Sequence, residues 1–236
     1  MSRWSLRVLV PAFFIIGCRA GERQPADGAR GAADPEPPAA PAGERRVVLF
    51  VGTSLTAALG LEPEQGFPAL IQEKIDSAGL PFEVVNAGVS GETSTGARGR
   101  MRWLLNQPFD VLVLETGAND MLRGTSLRRL RENLEAIVDT VKEARPGARI
   151  VLAGMVAAPN LGERYGRDFR AVYADVARED TLPLVPFLLE GVAGNPELNL
   201  GDGIHPNERG HRILAENVWR VLEPVLRAEA SAPPRE

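Results

Sequence analysis

A serine, a histidine and an aspartate stand in short glycine-containing motifs along this chain. Ser54 lies in Gly52-Thr53-Ser54-Leu55, and Asp202 and His205 lie in Asp202-Gly203-Ile204-His205-Pro206. A serine hydroxyl is a weak nucleophile until a base takes its proton, and an imidazole held by a carboxylate is such a base. A spacing of three residues in a turn lets Asp202 reach one ring nitrogen of His205 and leaves the other to face the serine. Two further motifs supply hydrogen-bond donors. Gly91 closes Asn86-Ala87-Gly88-Val89-Ser90-Gly91, and Asn119 sits in Gly117-Ala118-Asn119-Asp120. With the Ser54 amide, the Gly91 amide and the Asn119 side chain could bind an oxyanion. Nucleophile, base, orienting carboxylate and oxyanion donors are the parts that acyl transfer needs.

Each motif taken singly has a structural alternative. A serine after a strand commonly caps a helix or closes a turn. Gly88 to Gly91 could be a tight turn, Asn119-Asp120 a helix cap, and Asp202 to Pro206 a turn that starts a helix. Composition narrows the chemistry. Only two histidines occur, and His211 falls inside a helical stretch as a surface or packing residue, which makes His205 the better candidate for a base. Lys74 and Lys142 are the only lysines, so no Gly-Lys-Ser/Thr phosphate loop can be written. One cysteine and two histidines give no His/Cys zinc site, and neither a metal nor a cofactor is expected. The net charge of -4 gives no reason to expect nucleic acid as a partner. Thr56 stands two residues after Ser54, so there is no Gly-x-Ser-x-Gly elbow of the α/β-hydrolase kind.

The elements that must position these residues are legible as alternating patterns. Val47–Val51, Phe82–Val85, Val111–Leu114, Ile150–Ala153 and Leu182–Val185 are apolar runs of strand length, as parallel strands covered on both faces require. Leu127, Leu130, Leu134, Ile137, Val138 and Val141 share one helical face. Leu214, Asn217, Val218, Val221, Leu222 and Val225 share another, and Asn207 is placed to cap that helix. Phe67 to Ile75 and Tyr165 to Ala177 are also read as helices. The alternation predicts an α/β fold: a three-layer α/β/α sandwich around a mostly parallel five-stranded sheet. In such sheets ligands bind beyond the carboxyl ends of the strands. The Ser54, Gly91 and Asn119 motifs each follow a strand, so they should converge there.

The termini read differently. Arg3 and Arg7 precede an apolar run, Val8 to Ile16, that is too short to span a bilayer. With Ile15-Ile16-Gly17-Cys18 this segment resembles a bacterial lipoprotein signal, residues 1–17. The resemblance implies that Cys18 is acylated and anchors the chain to a membrane surface. Residues 18–44 follow as a linker: Ala, Gly and Pro make up 17 of the 25 residues from Arg19 to Gly43, with no Val, Ile, Leu, Met or aromatic among them. The folded body is expected over 45–228 and a disordered tail over 229–236.

The four motifs, in this order, resemble the blocks of the SGNH (GDSL-type) hydrolases. The branch they are most similar to holds periplasmic arylesterases, acyl-CoA thioesterases and lysophospholipase L1-like enzymes. The resemblance covers Val47 to about Leu226. It implies a flavodoxin-like SGNH hydrolase fold, Ser54 as nucleophile, Asp202 and His205 as its partners, and Ser54, Gly91 and Asn119 as the oxyanion hole. Met121 and Leu122, within a loop from Met121 to Gly124 that is mobile in similar enzymes, would border the acyl pocket. Met155 would border it from the other side. The family's usual Gly-Asp-Ser carries aspartate where this chain has Thr53, and that aspartate is not one of the triad. The implied activity is hydrolysis of carboxylic ester or thioester bonds by a monomer in the bacterial cell envelope, exported and facing the periplasm or exterior. A carbohydrate O-deacetylase using the same site and an inactive surface-tethered binding protein are the alternatives.

Overall fold

The structure is a computed structural model that describes residues 45–232. The signal segment, Cys18, the linker and residues 233–236 lie outside the described residues. Five parallel strands form one sheet in the order β2-β1-β3-β4-β5. They are β1 (Arg46–Gly52), β2 (Phe82–Gly88), β3 (Val111–Glu115), β4 (Arg149–Ala153) and β5 (Leu184–Val185). The helices are α1 (Phe67–Ser77), α2 (Ser94–Leu104), α3 (Ala118–Leu122), α4 (Leu127–Ala144), α5 (Glu163–Glu179) and α6 (Glu208–Ala230). α1 packs with α6, and α4 packs with both α2 and α5, so helices cover the sheet in two layers. This is the doubly wound α/β/α sandwich that the alternating pattern predicts, with every strand pair parallel.

Burial explains the pattern. β3 is central and buried at all five positions, and β1 buries Val48 to Gly52, so both read as continuous apolar runs. β2 is an edge strand with half-buried positions. The helices bury one stripe each: α4 turns Leu130, Leu134, Ile137, Val138 and Val141 inward, and α6 turns Leu214, Val218, Leu222 and Leu226 inward.

The structure departs from the sequence pattern in several places; β2, for one, runs on to Gly88 rather than ending at Val85. The fifth strand shrinks from Leu182–Val185 to Leu184–Val185, because Pro183 has no N–H to donate; its carbonyl still accepts from the Leu152 amide at 2.9 Å. α2 was not anticipated: its buried stripe is Ser94, Ala97, Met101 and Leu104, and only the last two are large and apolar. The body also runs past residue 228. α6 extends to Ala230, and Glu229 is buried against the start of the sheet, where Arg46 and Arg149 pair with its carboxylate at 3.2 and 2.6 Å. No helix among the described residues is long and apolar enough to cross a membrane.

Candidate active site

Ser54 stands two residues beyond the end of β1. The chain turns at once, with Ala57 N–H donating to the Thr53 carbonyl and Leu59 N–H to the Ser54 carbonyl. The turn leans so closely on β3 that a Cβ on Gly52 would lie 2.6 Å from Glu115 Oε2. Only glycine permits that approach. Ser54 Oγ is left facing outward, 3.0 Å from His205 Nε2.

His205 comes from the loop before α6. Asp202 Oδ2 lies 2.6 Å from His205 Nδ1, while Asp202 Oδ1 accepts from the Ile204 and His205 amides at 2.9 and 3.0 Å. The turn needs a left-handed residue at Gly203, with φ +69°. A second tie holds the loop: the Leu200 amide donates to the His205 carbonyl at 2.7 Å. The His205 ring, then the two backbone amides, hold the Asp202 carboxyl well below the usual carboxylate range. With Oδ2 ionised, Nδ1 carries the hydrogen and Nε2 is free to accept from the serine. Asn207 caps α6 by accepting from Gly210 N–H at 3.1 Å, which fixes the far end of the loop.

The oxyanion candidates stand on the loops after β2 and β3. Asn119 is the second residue of α3, whose N-cap Gly117 has φ +107°; a Cβ there would strike the Tyr173 hydroxyl. One hydrogen of the Asn119 amide goes to the Glu92 carbonyl at 2.9 Å, which leaves the other. Gly91, with φ +79°, precedes Glu92 in the same turn. It does not line the pocket described below. Its carbonyl accepts from Arg123 Nη2 at 2.8 Å, and its N–H, like that of Ser54, has no acceptor among the described residues. A buried carboxylate ties the two loops together. Asp120 accepts from Ser94 N–H at 2.7 Å and Ser94 Oγ at 2.6 Å, and Asn133 Nδ2 donates to the same Ser94 oxygen. Asp120 thus caps α2 from α3.

Ser54, Asn119 and His205 open onto one cavity of about 530 Å³. Its wall is largely apolar, including Leu55, Met155, Phe187, Leu189 and Ile204. Met121, Leu122 and Met155 all line it. Met121 and Leu122 are carried on α3 rather than in an irregular loop, and Met121 Sδ accepts from the Ala158 amide at 3.4 Å. Phe187 and Leu189 were missed. They lie in the loop after the two-residue β5, where no motif marks them. His211 is buried and far from acting as a base. Its Nδ1 accepts from Phe67 N–H at 3.0 Å, and burial, then the nearby His205, lowers its pKa to about 4.

A serine, a histidine and an aspartate within hydrogen-bond reach in one row, at the carboxyl edge of a 2-1-3-4-5 sheet, set the frame for comparison with known proteins. Residues 50–213 match the model of the GDSL-like Lipase/Acylhydrolase family. The chain belongs to that family. Among curated relatives, Esterase TesA of Pseudomonas aeruginosa is 42% identical over 182 residues, which cover 77% of this chain and 90% of that one. Thioesterase 1/protease 1/lysophospholipase L1 of Escherichia coli is 36% identical over 181 residues, 76% of this chain and 84% of the relative. A crystal structure of TesA superposes with a TM-score of 0.73 at 40% identity, covering 76% of this chain and 99% of that one. The chain is thus an SGNH/GDSL esterase of the arylesterase, thioesterase and lysophospholipase branch, and ester hydrolysis is its activity class.

Proposed function

We propose that this esterase hydrolyses carboxylic esters or thioesters of medium-length acyl chains through a Ser54-His205-Asp202 triad and an acyl-enzyme. The supporting observation is the unbroken relay at 3.0 and 2.6 Å that ends on an apolar cavity. Ser54 Oγ attacks the carbonyl carbon while His205 Nε2 takes its proton. The carbonyl oxygen becomes an oxyanion bound by the Ser54 and Gly91 amides and the Asn119 side chain. The intermediate collapses, the alcohol or thiol leaves with the proton from His205, and the acyl group stays on Ser54. Water, deprotonated by the same ring, then releases the acid and restores the serine. Asp202 holds the ring and stabilises its cation. No step calls for a metal or cofactor.

The wall chemistry favours an acyl chain over an acetylated sugar, because few polar groups face the cavity to meet hydroxyls. The test is hydrolysis of p-nitrophenyl esters from acetate to palmitate beside Ser54→Ala. Serine-dependent turnover that peaks at medium chains supports the reading. Turnover confined to acetate selects the O-deacetylase, and turnover by Ser54→Ala at the parent rate rejects the triad. A folded chain with no turnover and no fluorophosphonate label would select the inactive binding protein. Attachment to the cell envelope through acylated Cys18 is part of the same proposal, resting on the sequence alone. Cys18→Ser should move the protein from the membrane fraction to the soluble exported fraction.

A further inference from the structure

One buried acid takes no part in the relay. Glu115 ends β3 at 1% exposure, and no Arg, Lys or His among the described residues pairs with it. The hydrogen bonds of its carboxyl go to the turn that carries Ser54. Glu115 Oε2 accepts from Thr53 N–H at 2.7 Å and from Thr56 Oγ1 at 2.9 Å, and Thr53 Oγ1 stands 3.0 Å from both carboxyl oxygens. Thr53 and Thr56 are themselves buried, at 1% and 0% exposure. They lie on either side of Ser54 in the chain, so the carboxyl grips the turn before and after the nucleophile. Gly52, over which no Cβ would fit, lets the carboxyl come that close.

We propose that Glu115 is a positioning residue that sets the direction of Ser54 Oγ and of the Ser54 amide, and that the Thr53 and Thr56 hydroxyls are the partners through which it acts. The inference rests on Ser54 being the nucleophile. Three donors converge on one buried acceptor group, and an acceptor with that many donors is best satisfied as a carboxylate. Burial pushes the Glu115 pKa up, and the threonine donors pull against it. Loss of an acceptor here frees the Gly52-Thr53 peptide to rotate and moves Ser54 relative to His205. A misplacement of about 1 Å at a reacting atom costs on the order of 100-fold in rate. The position of Thr53 suits this role. An aspartate there would bring a second carboxyl against Glu115, and the two would have to share a proton, whereas a hydroxyl donates without that requirement.

The test compares the full chain with Glu115→Gln, Thr53→Val, Thr56→Val and Glu115→Gln/Thr53→Val. kcat, KM, the rate of fluorophosphonate labelling at Ser54 and the urea midpoint are measured on each. Glutamine keeps the shape but turns one acceptor into a donor that faces other donors. Glu115→Gln is expected to lower kcat and the labelling rate together by about 10- to 100-fold with KM within about threefold. Thr53→Val should lower the same two quantities by a smaller factor. The double variant should be no slower than Glu115→Gln alone, since the hydroxyl acts through the carboxyl. A lowered urea midpoint with kcat and labelling within twofold of the parent would make Glu115 a core residue and overturn the proposal. So would fold-effects that simply multiply in the double variant. If Glu115→Gln fails to fold, the near-isosteric Thr53→Val and Thr56→Val decide: reduced labelling supports the clamp, and parent-like labelling overturns it. A parent protein labelled at a residue other than Ser54 would instead reject the nucleophile assignment, and the clamp with it.

Discussion

Asp202 makes more contacts than an orienting group strictly needs. One oxygen holds the His205 ring and the other accepts two backbone amides of the same turn, so the turn and the imidazole are set together. Asp202→Asn offers a neutral amide in place of the acceptor that fixes the ring tautomer. It is expected to lower kcat by about 10⁴-fold while the circular dichroism spectrum stays that of the parent. The proposed role of Asn119 is of a different kind: its second amide hydrogen would be used only once an oxyanion forms. Asn119→Ala should lower kcat by about 10²- to 10³-fold with little change in KM. A change confined to KM would mean that Asn119 binds ground-state substrate and is no oxyanion donor. The juxtaposition of Ser54, Asp202 and His205 was legible in the sequence because each sits in a short local motif and because only one other histidine competes. Glu115 was not, because an acid at the end of an apolar strand gives no sign that it will be buried beneath a turn 62 residues earlier in the chain.

At the level of elements, strands and long helices were legible where one continuous stripe is buried, as in β1, β3, α4 and α6. The gaps have physical causes. α2 hides its face behind Ser94 and Ala97, and Phe187 and Leu189 reach the cavity from a loop with no period. Two buried side chains fix how elements begin. Asp120 caps α2 from α3, so Asp120→Ala leaves the Ser94 donors buried without an acceptor. The loss expected is about 2–3 kcal/mol of stability by urea denaturation, together with a fall in kcat, because the Gly91 and Asn119 loops lose the buried one of their ties. His211 accepts the first amide of α1 and must stay neutral to do so. Its folded pKa of about 4 lies below the ordinary 6.5, so the unfolded chain binds the extra proton first. Stability from this group is complete above pH 6.5 and is lost as pH falls from there to about 4, by roughly 3 kcal/mol. Urea midpoints taken across that window should fall with pH in the parent. In His211→Gln this part of the slope should be absent, and an unchanged slope would clear His211 of the effect.

At the scale of the whole molecule, one chain supplies every part of the site. The turn that carries Ser54, the loops that carry Gly91 and Asn119 and the loop that carries Asp202 and His205 gather at the carboxyl edge of one parallel sheet, while Arg46, Arg149 and Glu229 tie the opposite edge to the end of α6. A monomer is therefore expected to be fully active, with specific activity independent of protein concentration; a loss of specific activity on dilution would contradict this. The most direct measurement is the mapping of the fluorophosphonate adduct by peptide mass spectrometry in the parent, Ser54→Ala and His205→Ala. The account predicts a single adduct on Ser54, none in Ser54→Ala, and labelling slowed by several orders of magnitude in His205→Ala. An adduct on another residue, or ester turnover that survives in Ser54→Ala, would contradict it.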